Sequence, residues 1–321
     1  MKILVTGATG FLGSHLCRRL VQCNFQVTAL HRATSDVHHL DGLDLEFRSA
    51  DILDKSSFAR AVEGHDVVIH AAAKTGGDGE FSNRVNSEGT RCVVRTCREH
   101  GVKRFVHVSS VAAIGIPPRG TIADEQFPFN LENSNLHYHI SKKRAEEAVL
   151  DEVASGLDAV IVNPAFVFGP YGNSFRGGYL IDKVRQGHIV PYFMGGLCVV
   201  HVNDVVEGII AALLHGNTGE RYILGGENLT YKELVQQSAA AFGLRRHFLP
   251  LWPSVTGAAA VIMEAWGKLR HQRPRISFAL HRWATWMIFY SSAKGQRRLG
   301  YQSRPFSAIL QECVKYAAPH R

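Results

Sequence analysis

Apolar residues fall along the chain in two alternating rhythms. Short runs rich in β-branched residues predict strands at Lys2–Thr6, Gln26–His31, Leu43–Arg48, Asp66–His70, Arg104–Ser109 and Leu157–Asn163. Between them, apolar positions three and four apart predict helices over Phe11–Val21, Ser56–Val62, Phe81–His100 and Leu136–Ser155. Val67-Val68-Ile69 and Phe105-Val106-His107-Val108 show almost no polar alternation, as expected of strands covered on both faces. Strands and helices alternating in this way predict an α/β fold, a doubly wound parallel sheet. After Pro164 the rhythm loosens. Gly169-Pro170-Tyr171-Gly172-Asn173 reads as a loop, followed by a helix near Asn203–Leu214, a strand at Arg221–Leu224 and a helix over Tyr231–Phe242. Residues 1–164 are expected to form the sheet domain, with returns to it near residues 200–224, and residues 165–321 a smaller, mainly substrate-binding region.

The first strand runs into Gly7, Gly10 and Gly13, and the first helix starts at once. Gly7 permits a tight turn, Gly10 lets the backbone approach a pyrophosphate, and Gly13 lets helix and strand pack closely. Free N–H groups at the helix start then face the phosphates. A glycine triplet is a weak signal alone; after a strand and opening a helix it marks a dinucleotide-binding sheet of the Rossmann type. The second strand ends in His31-Arg32, where an NAD-binding chain usually has Asp or Glu for the ribose 2′-hydroxyl. Losing that carboxylate removes repulsion toward a 2′-phosphate, and the guanidinium offers it bidentate contacts. The cofactor expected is NADP(H), with NAD(H) the alternative, since Arg32 can also stack on the adenine.

Tyr138 and Lys142 stand four apart on a predicted helix and so share a face. An ammonium beside a phenol is expected to lower its pKa and to hold a ribose hydroxyl, leaving the phenol as acid toward a carbonyl or base toward an alcohol. Ser109 and Ser110, at the carboxyl end of a strand, supply a candidate third hydroxyl.

These motifs resemble those of the extended short-chain dehydrogenases/reductases, in the NAD-dependent epimerase/dehydratase family, over nearly all of residues 1–318. The family's TGxxGxxG corresponds to Thr6-Gly7-Ala8-Thr9-Gly10-Phe11-Leu12-Gly13. The resemblance implies that Asp51-Ile52 holds the adenine and that Ala71-Ala72-Ala73, with Lys74 beyond, lines the cofactor. It gives Asn86 and Thr90 the places of the Asn-x-x-Gly-Thr motif, and sets Pro164 and Val167 beside the nicotinamide. Ser110 lies five residues before Gly115, the family's spacing for its catalytic hydroxyl, so the implied triad is Ser110, Tyr138 and Lys142, with Ser109 on the cofactor. His201–Val205 resembles the turn into a substrate-region helix. Tyr222–Asn228 and Ser291–Tyr301 resemble dihydroflavonol-reductase-like and hopanoid-associated sugar epimerase-like members. Relatives often dimerise through the helices that are here Phe81–His100 and Leu136–Ser155, which implies a homodimer.

Composition narrows the rest. The 321 residues are 45% hydrophobic and 20% charged, enough for a large core and unlike a disordered chain. Six scattered cysteines suit reduced thiols, and Met1-Lys2 enters the first strand without a signal sequence, so a cytoplasmic protein is expected. Neither the cysteines nor the 17 histidines show metal-ligand spacing, so no metal is expected, and no base-reading motif points to nucleic acid. From Arg245 onward thirteen Lys or Arg face two acids, a net +11, leaving −3 for residues 1–244. With Trp252, Trp266, Trp283, Trp286 and Phe289 this suggests a small-molecule substrate that is bulky and apolar, or anionic. Membrane-surface association is the less favoured reading. Substrate contacts are expected from Lys74–Phe81, Ile114–Phe129, Gly169–Gly178 and the C-terminal segment.

Three activities fit. An NADP(H)-dependent oxidoreductase would reduce a ketone or aldehyde, or oxidise a secondary alcohol. A nucleotide-sugar epimerase or dehydratase with tightly held NAD would need convergent basic groups, which Arg176, Lys183, Arg185 and the basic C-terminal segment could provide. A non-catalytic NADP-binding regulator would have no need of an intact triad.

Overall fold

The computed structural model describes residues 1–75, 79–172, 174–177, 179–270 and 285–317. Trp283 and parts of the expected substrate loops (76–78, 173 and 178) lie outside them.

Strands β1 (Lys2–Thr6), β2 (Gln26–His31), β3 (Glu46–Ser49), β4 (Val67–His70), β5 (Arg104–Val108), β6 (Ala159–Pro164) and β11 (Arg221–Leu224) form one seven-stranded sheet in the order β11-β6-β5-β4-β1-β2-β3. All its pairings are parallel. Side chains alternate across β1. Ile3 and Val5 join a core with Leu16 and Leu20 of α1 (Phe11–Gln22) and Val205, Ile209 and Leu213 of α7 (Val202–His215). Leu4 points the other way, into Phe58 of α2 (Lys55–Val62), Val93 and Val94 of α4 (Gly89–Glu99) and Val149 of α5 (His137–Ala154). Both faces are covered, which is why these strands are apolar without a break. The strand order reverses between β1 and β4, and a crevice for ligands opens beyond the carboxyl ends of the strands at such a point.

The rest of the chain builds a second body. β7 (Phe166–Tyr171), β8 (Ser174–Arg176), β10 (Gly196–His201), β12 (Glu227–Thr230) and β14 (Met287–Ile288) form a mixed sheet, and β9 (Ile189–Phe193) pairs with β13 (His247–Leu251). Its core packs Leu197 and Val199 against Ile181 of α6 (Tyr179–Gln186), Leu234 of α8 (Tyr231–Ala241), and Phe306 and Ile309 of the helix Phe306–Ala317.

Three expectations need correction. Gly169–Tyr171 is strand: β7 pairs in parallel with β10 through Phe166–Phe168 and antiparallel with β8 through Gly169–Tyr171. Tertiary pairing overrides the turn-forming composition there. The single helix expected over Phe81–His100 is three pieces, with a π-helical turn at Arg84–Glu88 between α3 (Gly79–Asn83) and α4. The strand expected from Leu43 begins at Glu46, because Leu43–Leu45 turn back on the short helix His38–Leu40.

Candidate active site

At the end of β1 the chain turns at Gly7, whose φ is +69°. A Cβ there would stand 2.6 Å from Ala72 N and 2.7 Å from Ala72 Cα, so the turn packs backbone against backbone on the exit of β4. Gly13 is tighter still, since its Cβ would lie 2.0 Å from Gly7 O. Gly10 is exposed, and a Cβ on it would meet only Gly7 O, at 3.2 Å. Gly10 gives α1 no side-chain cap, and the first turn holds no acid. The amides of Phe11, Leu12 and Gly13 therefore start the helix with neither an intrahelical acceptor nor a competing anion.

Tyr171, which the sequence reading did not single out, closes over this turn. Its Oη donates to Thr9 O at 3.0 Å, and its ring lies 5.7 Å from Phe11 and 4.2 Å from His39. The signal that could have found it is the aromatic at the end of Phe166-Val-Phe-Gly-Pro-Tyr171, once that run is read as strand.

Beyond β4 a polar chain crosses the sheet edge. Thr6 Oγ1 lies 2.7 Å from His70 Nδ1, and His70 Nε2 lies 3.0 Å from Thr90 Oγ1. Thr90 Oγ1 donates to Asn86 O at 2.6 Å, and Thr6 Oγ1 accepts from Ala72 N at 3.3 Å. Only one proton arrangement satisfies this chain. Thr6 donates to Nδ1, and Nε2–H donates to Thr90. Burial holds His70 neutral, with its pKa lowered to about 3. Asn86 then clamps Lys74, accepting from its N at 2.7 Å and donating to its O at 3.0 Å, and also donates to Ser141 Oγ at 3.0 Å. Its amide ties the segment after β4 to α5, and the π-helical turn carries it there.

At the end of β2, His31 Nδ1–H donates to Arg32 O at 3.0 Å, and its ring meets Phe47 edge-on. The Arg32 side chain is exposed and forms no ion pair among the described residues. Asp51 is exposed and closes a local turn onto Leu53 N at 2.9 Å, while Ile52 packs beneath Gly89. Pro164 is buried at the end of β6, opposite Leu224, and half-buried Val167 pairs with Val200.

Ser110, Tyr138 and Lys142 come together where β5 meets the start of α5. Ser110 begins a short 3-10 helix at Val111–Ala113, its Oγ accepting from Ala112 N at 3.2 Å, and its hydroxyl acts on the Tyr138 phenol, opposing the rise in pKa that burial causes. Ser109 Oγ is buried with no hydrogen-bond partner among the described residues, so Ser110 is the hydroxyl that reaches the phenol. Lys142 is only 2% exposed, and its Nζ donates to Val108 O at 3.1 Å. Burial lowers its pKa to about 8, against the opposing pull of Glu146. The expectation that the ammonium lowers the phenol's pKa is corrected. Desolvation dominates and raises the Tyr138 pKa, and the group opposing it is Ser110. A phenol held protonated is poised as an acid.

A further layer lies under the triad. Glu146, one turn beyond Lys142 and 1% exposed, accepts from Asn163 Nδ2 and pairs with Arg221 Nη1 at 3.2 Å. Asn163 Nδ2 also donates to Ser110 O at 2.9 Å. Arg221 continues to Glu125 O, and Glu125 accepts from Ile223 N at 2.8 Å. The i+4 spacing of Glu146 from Lys142 was visible in the sequence; the Arg221 contact, 75 residues away, was not.

Residues 3–225 match the NAD dependent epimerase/dehydratase family, and the chain belongs to it. It is an NAD(P)-dependent enzyme of the extended short-chain dehydrogenase/reductase type. It is 33% identical to sterol demethylase protein B of Methylococcus capsulatus, covering 98% of each chain. It is 30% identical to a putative dihydroflavonol 4-reductase of Synechocystis, covering 98% of this chain and 94% of that one. The crystal structure of gox2253 superposes with a TM-score of 0.88 at 33% identity, over 99% of this chain and 98% of that one. No helix among the described residues is long and apolar enough to cross a membrane.

Proposed function

We propose that the chain is an NADP(H)-dependent carbonyl reductase, or alcohol dehydrogenase in reverse, acting on a bulky apolar small molecule through Ser110, Tyr138 and Lys142. One observation carries this reading. A phenol kept protonated by burial, with Ser110 opposing that rise, and a buried ammonium one turn along the same helix stand at the carboxyl edge of the sheet, one strand from the reversal of strand order. The residues present fit a dinucleotide. The uncapped, acid-free start of α1 suits a pyrophosphate, exposed Gly10 leaves room for close approach, and His31 and Arg32 suit a 2′-phosphate. In this reading Thr9, Phe11, Leu12, Asp51, Ile52, Ala71, Ala72, Ala73, Lys74, Pro164 and Val167 line the same cleft. Asn86 serves it by fixing Lys74, and Ser109 by completing the end of β5.

The nicotinamide, when bound, supplies or accepts the hydride. Ser110 Oγ holds the substrate oxygen, and Tyr138 Oη donates its proton to that oxygen in reduction or withdraws it in oxidation. Lys142, as ammonium, holds the ribose, and Ser110 is the group that offsets the burial of the phenolate left behind. Glu146 offsets the cost of burying that ammonium.

The names of the two relatives, a sterol demethylase protein and a dihydroflavonol reductase, support an apolar polycyclic substrate. The nucleotide-sugar reading finds less support. Arg176 lies over the Tyr171 ring, Lys183 over Tyr179, and Arg185 pairs with Asp182, so these three basic groups are each engaged with a neighbour. Incubation with NADPH and a panel of aromatic and steroidal ketones tests the proposal. Net NADPH consumption with alcohol formation is expected, whereas epimerisation of UDP- or GDP-sugars without net redox would overturn it.

Arg32→Asp should raise the NADPH dissociation constant about tenfold or more and leave NADH within about twofold, since one charge-assisted bidentate contact is lost and replaced by repulsion. Fluorescence titration of both cofactors checks it, and equal losses would remove Arg32 from the site. Glu146→Gln should move the alkaline limb of kcat against pH downward. Lys142 must be protonated, so activity is present below its folded pKa of about 8 and lost as pH rises through it. Without the raising effect of Glu146, that pKa falls further.

A further inference from the structure

Helix α9 (Pro253–Arg270) is packed inside out. Among its described side chains, those it buries are small, Thr256 at 6% and Ala260 at 0% exposure. Its large apolar residues face outward, with Val255 at 62%, Ile262 at 66% and Trp266 at 56%, and Trp252 at 58% just before the helix. The spacings of seven and four residues put Val255, Ile262 and Trp266 on one face of the helix. β13 runs straight into that helix, and its Leu249 is 52% exposed opposite Pro191, beside exposed Ile189 on β9. An ordinary surface helix puts Trp, Ile and Val inward, and exposed apolar surface of this extent marks an interaction site.

The surrounding charge names the partner. Between Glu233 and Arg282 the sequence carries six Lys or Arg and a single acid, Glu264. Arg245 and Arg246 precede the patch in sequence, and Lys268, Arg270, Arg273 and Arg275 follow it. A tryptophan-bearing apolar face bracketed in the sequence by cations, with Glu264 as the one acid among them, fits the boundary of an anionic bilayer. There indole rings settle at headgroup depth, aliphatic side chains enter the acyl region, and Lys and Arg meet lipid phosphates. A protein partner would have to supply an acidic rim around an apolar centre. A second copy of this chain would set like charges against each other.

The geometry points to α9 and the β13 edge as a docking surface that seats this protein on an anionic lipid bilayer without crossing it. This goes beyond the catalytic reading and does not depend on it, because lipid binding is measured without cofactor or substrate.

The test is co-sedimentation of the full chain with vesicles of phosphatidylcholine alone and of phosphatidylcholine with phosphatidylglycerol, together with tryptophan emission. The chain is expected to pellet with the anionic vesicles, with blue-shifted emission, and to be released as NaCl is raised. The double variant Val255→Ser, Ile262→Ser keeps the net charge and alters only exposed positions, so it should fold normally by circular dichroism yet bind about tenfold more weakly. Equal pelleting of wild type and variant would reduce the effect to bulk charge and overturn the proposal. No pelleting with anionic vesicles would do the same, as would a wild-type dimer that the double variant dissolves in sedimentation velocity. None of these results would bear on NADPH turnover.

Discussion

Tyr138→Phe binds NADPH within about twofold of wild type and loses about a hundredfold or more in kcat, the usual consequence of deleting a general acid. The expectation follows from the local balance of forces. Burial keeps the phenol protonated, the Ser110 hydroxyl orients it, and Lys142 is held in place independently, through Val108 O. Removing one oxygen therefore leaves the fold and the cleft intact and deletes only the proton donor. Stopped-flow turnover alongside fluorescence titration of NADPH separates the two effects. A variant that keeps most of its turnover would take the phenol out of the reaction. One that loses cofactor affinity in proportion would make it a binding residue.

Gly13→Ala and Gly10→Ala are expected to diverge sharply. A methyl on Gly13 would sit 2.0 Å from Gly7 O and 2.9 Å from Ala8 Cα, and both contacts are backbone, so no side chain can swing aside. The strand–helix junction must spread. A stability loss of about 1–3 kcal/mol is expected, with loss of dinucleotide binding because the turn no longer presents its amides. A methyl on exposed Gly10 has a single close neighbour at 3.2 Å, so stability should change by about 0.5 kcal/mol or less. Dinucleotide affinity should still fall about tenfold, because the methyl occupies the space a pyrophosphate needs. Thermal melts and cofactor titrations on both variants check this. Gly10→Ala binding NADPH as tightly as wild type would mean that the ligand does not approach there.

The sheet was legible because its strands are short, buried on both faces and separated by amphipathic helices, so local pattern and tertiary environment agree. The glycine turn was legible for a related reason: sterics at Gly7 and Gly13 act within one strand–helix unit. What escaped the sequence depends on distant partners. Tyr171 reaches Thr9 across 162 residues, and its segment becomes strand only because β8 and β10 flank it. The break in the helix expected at Phe81–His100 leaves no mark in apolar periodicity; it exists so that Asn86 can hold Lys74. The phenol's pKa is not legible from sequence, because adjacency at i and i+4 predicts Coulombic effects but not desolvation, which here prevails. The outward-facing apolar side of α9 shows the converse. Its composition was plain in the sequence, but which face turned outward was not.

In the proposed mechanism a hydride carrier lies across the carboxyl edge of the sheet, with its reactive ring beside Tyr138. A crystal structure with NADPH bound tests this most directly. The account predicts the pyrophosphate on the amides of Phe11 and Leu12, the 2′-phosphate at Arg32, and the nicotinamide next to the Tyr138 hydroxyl, leaving space above its C4 for a carbonyl about 3–3.5 Å away. A nicotinamide bound elsewhere, or a phenol that no rotation brings to the ring, would contradict it.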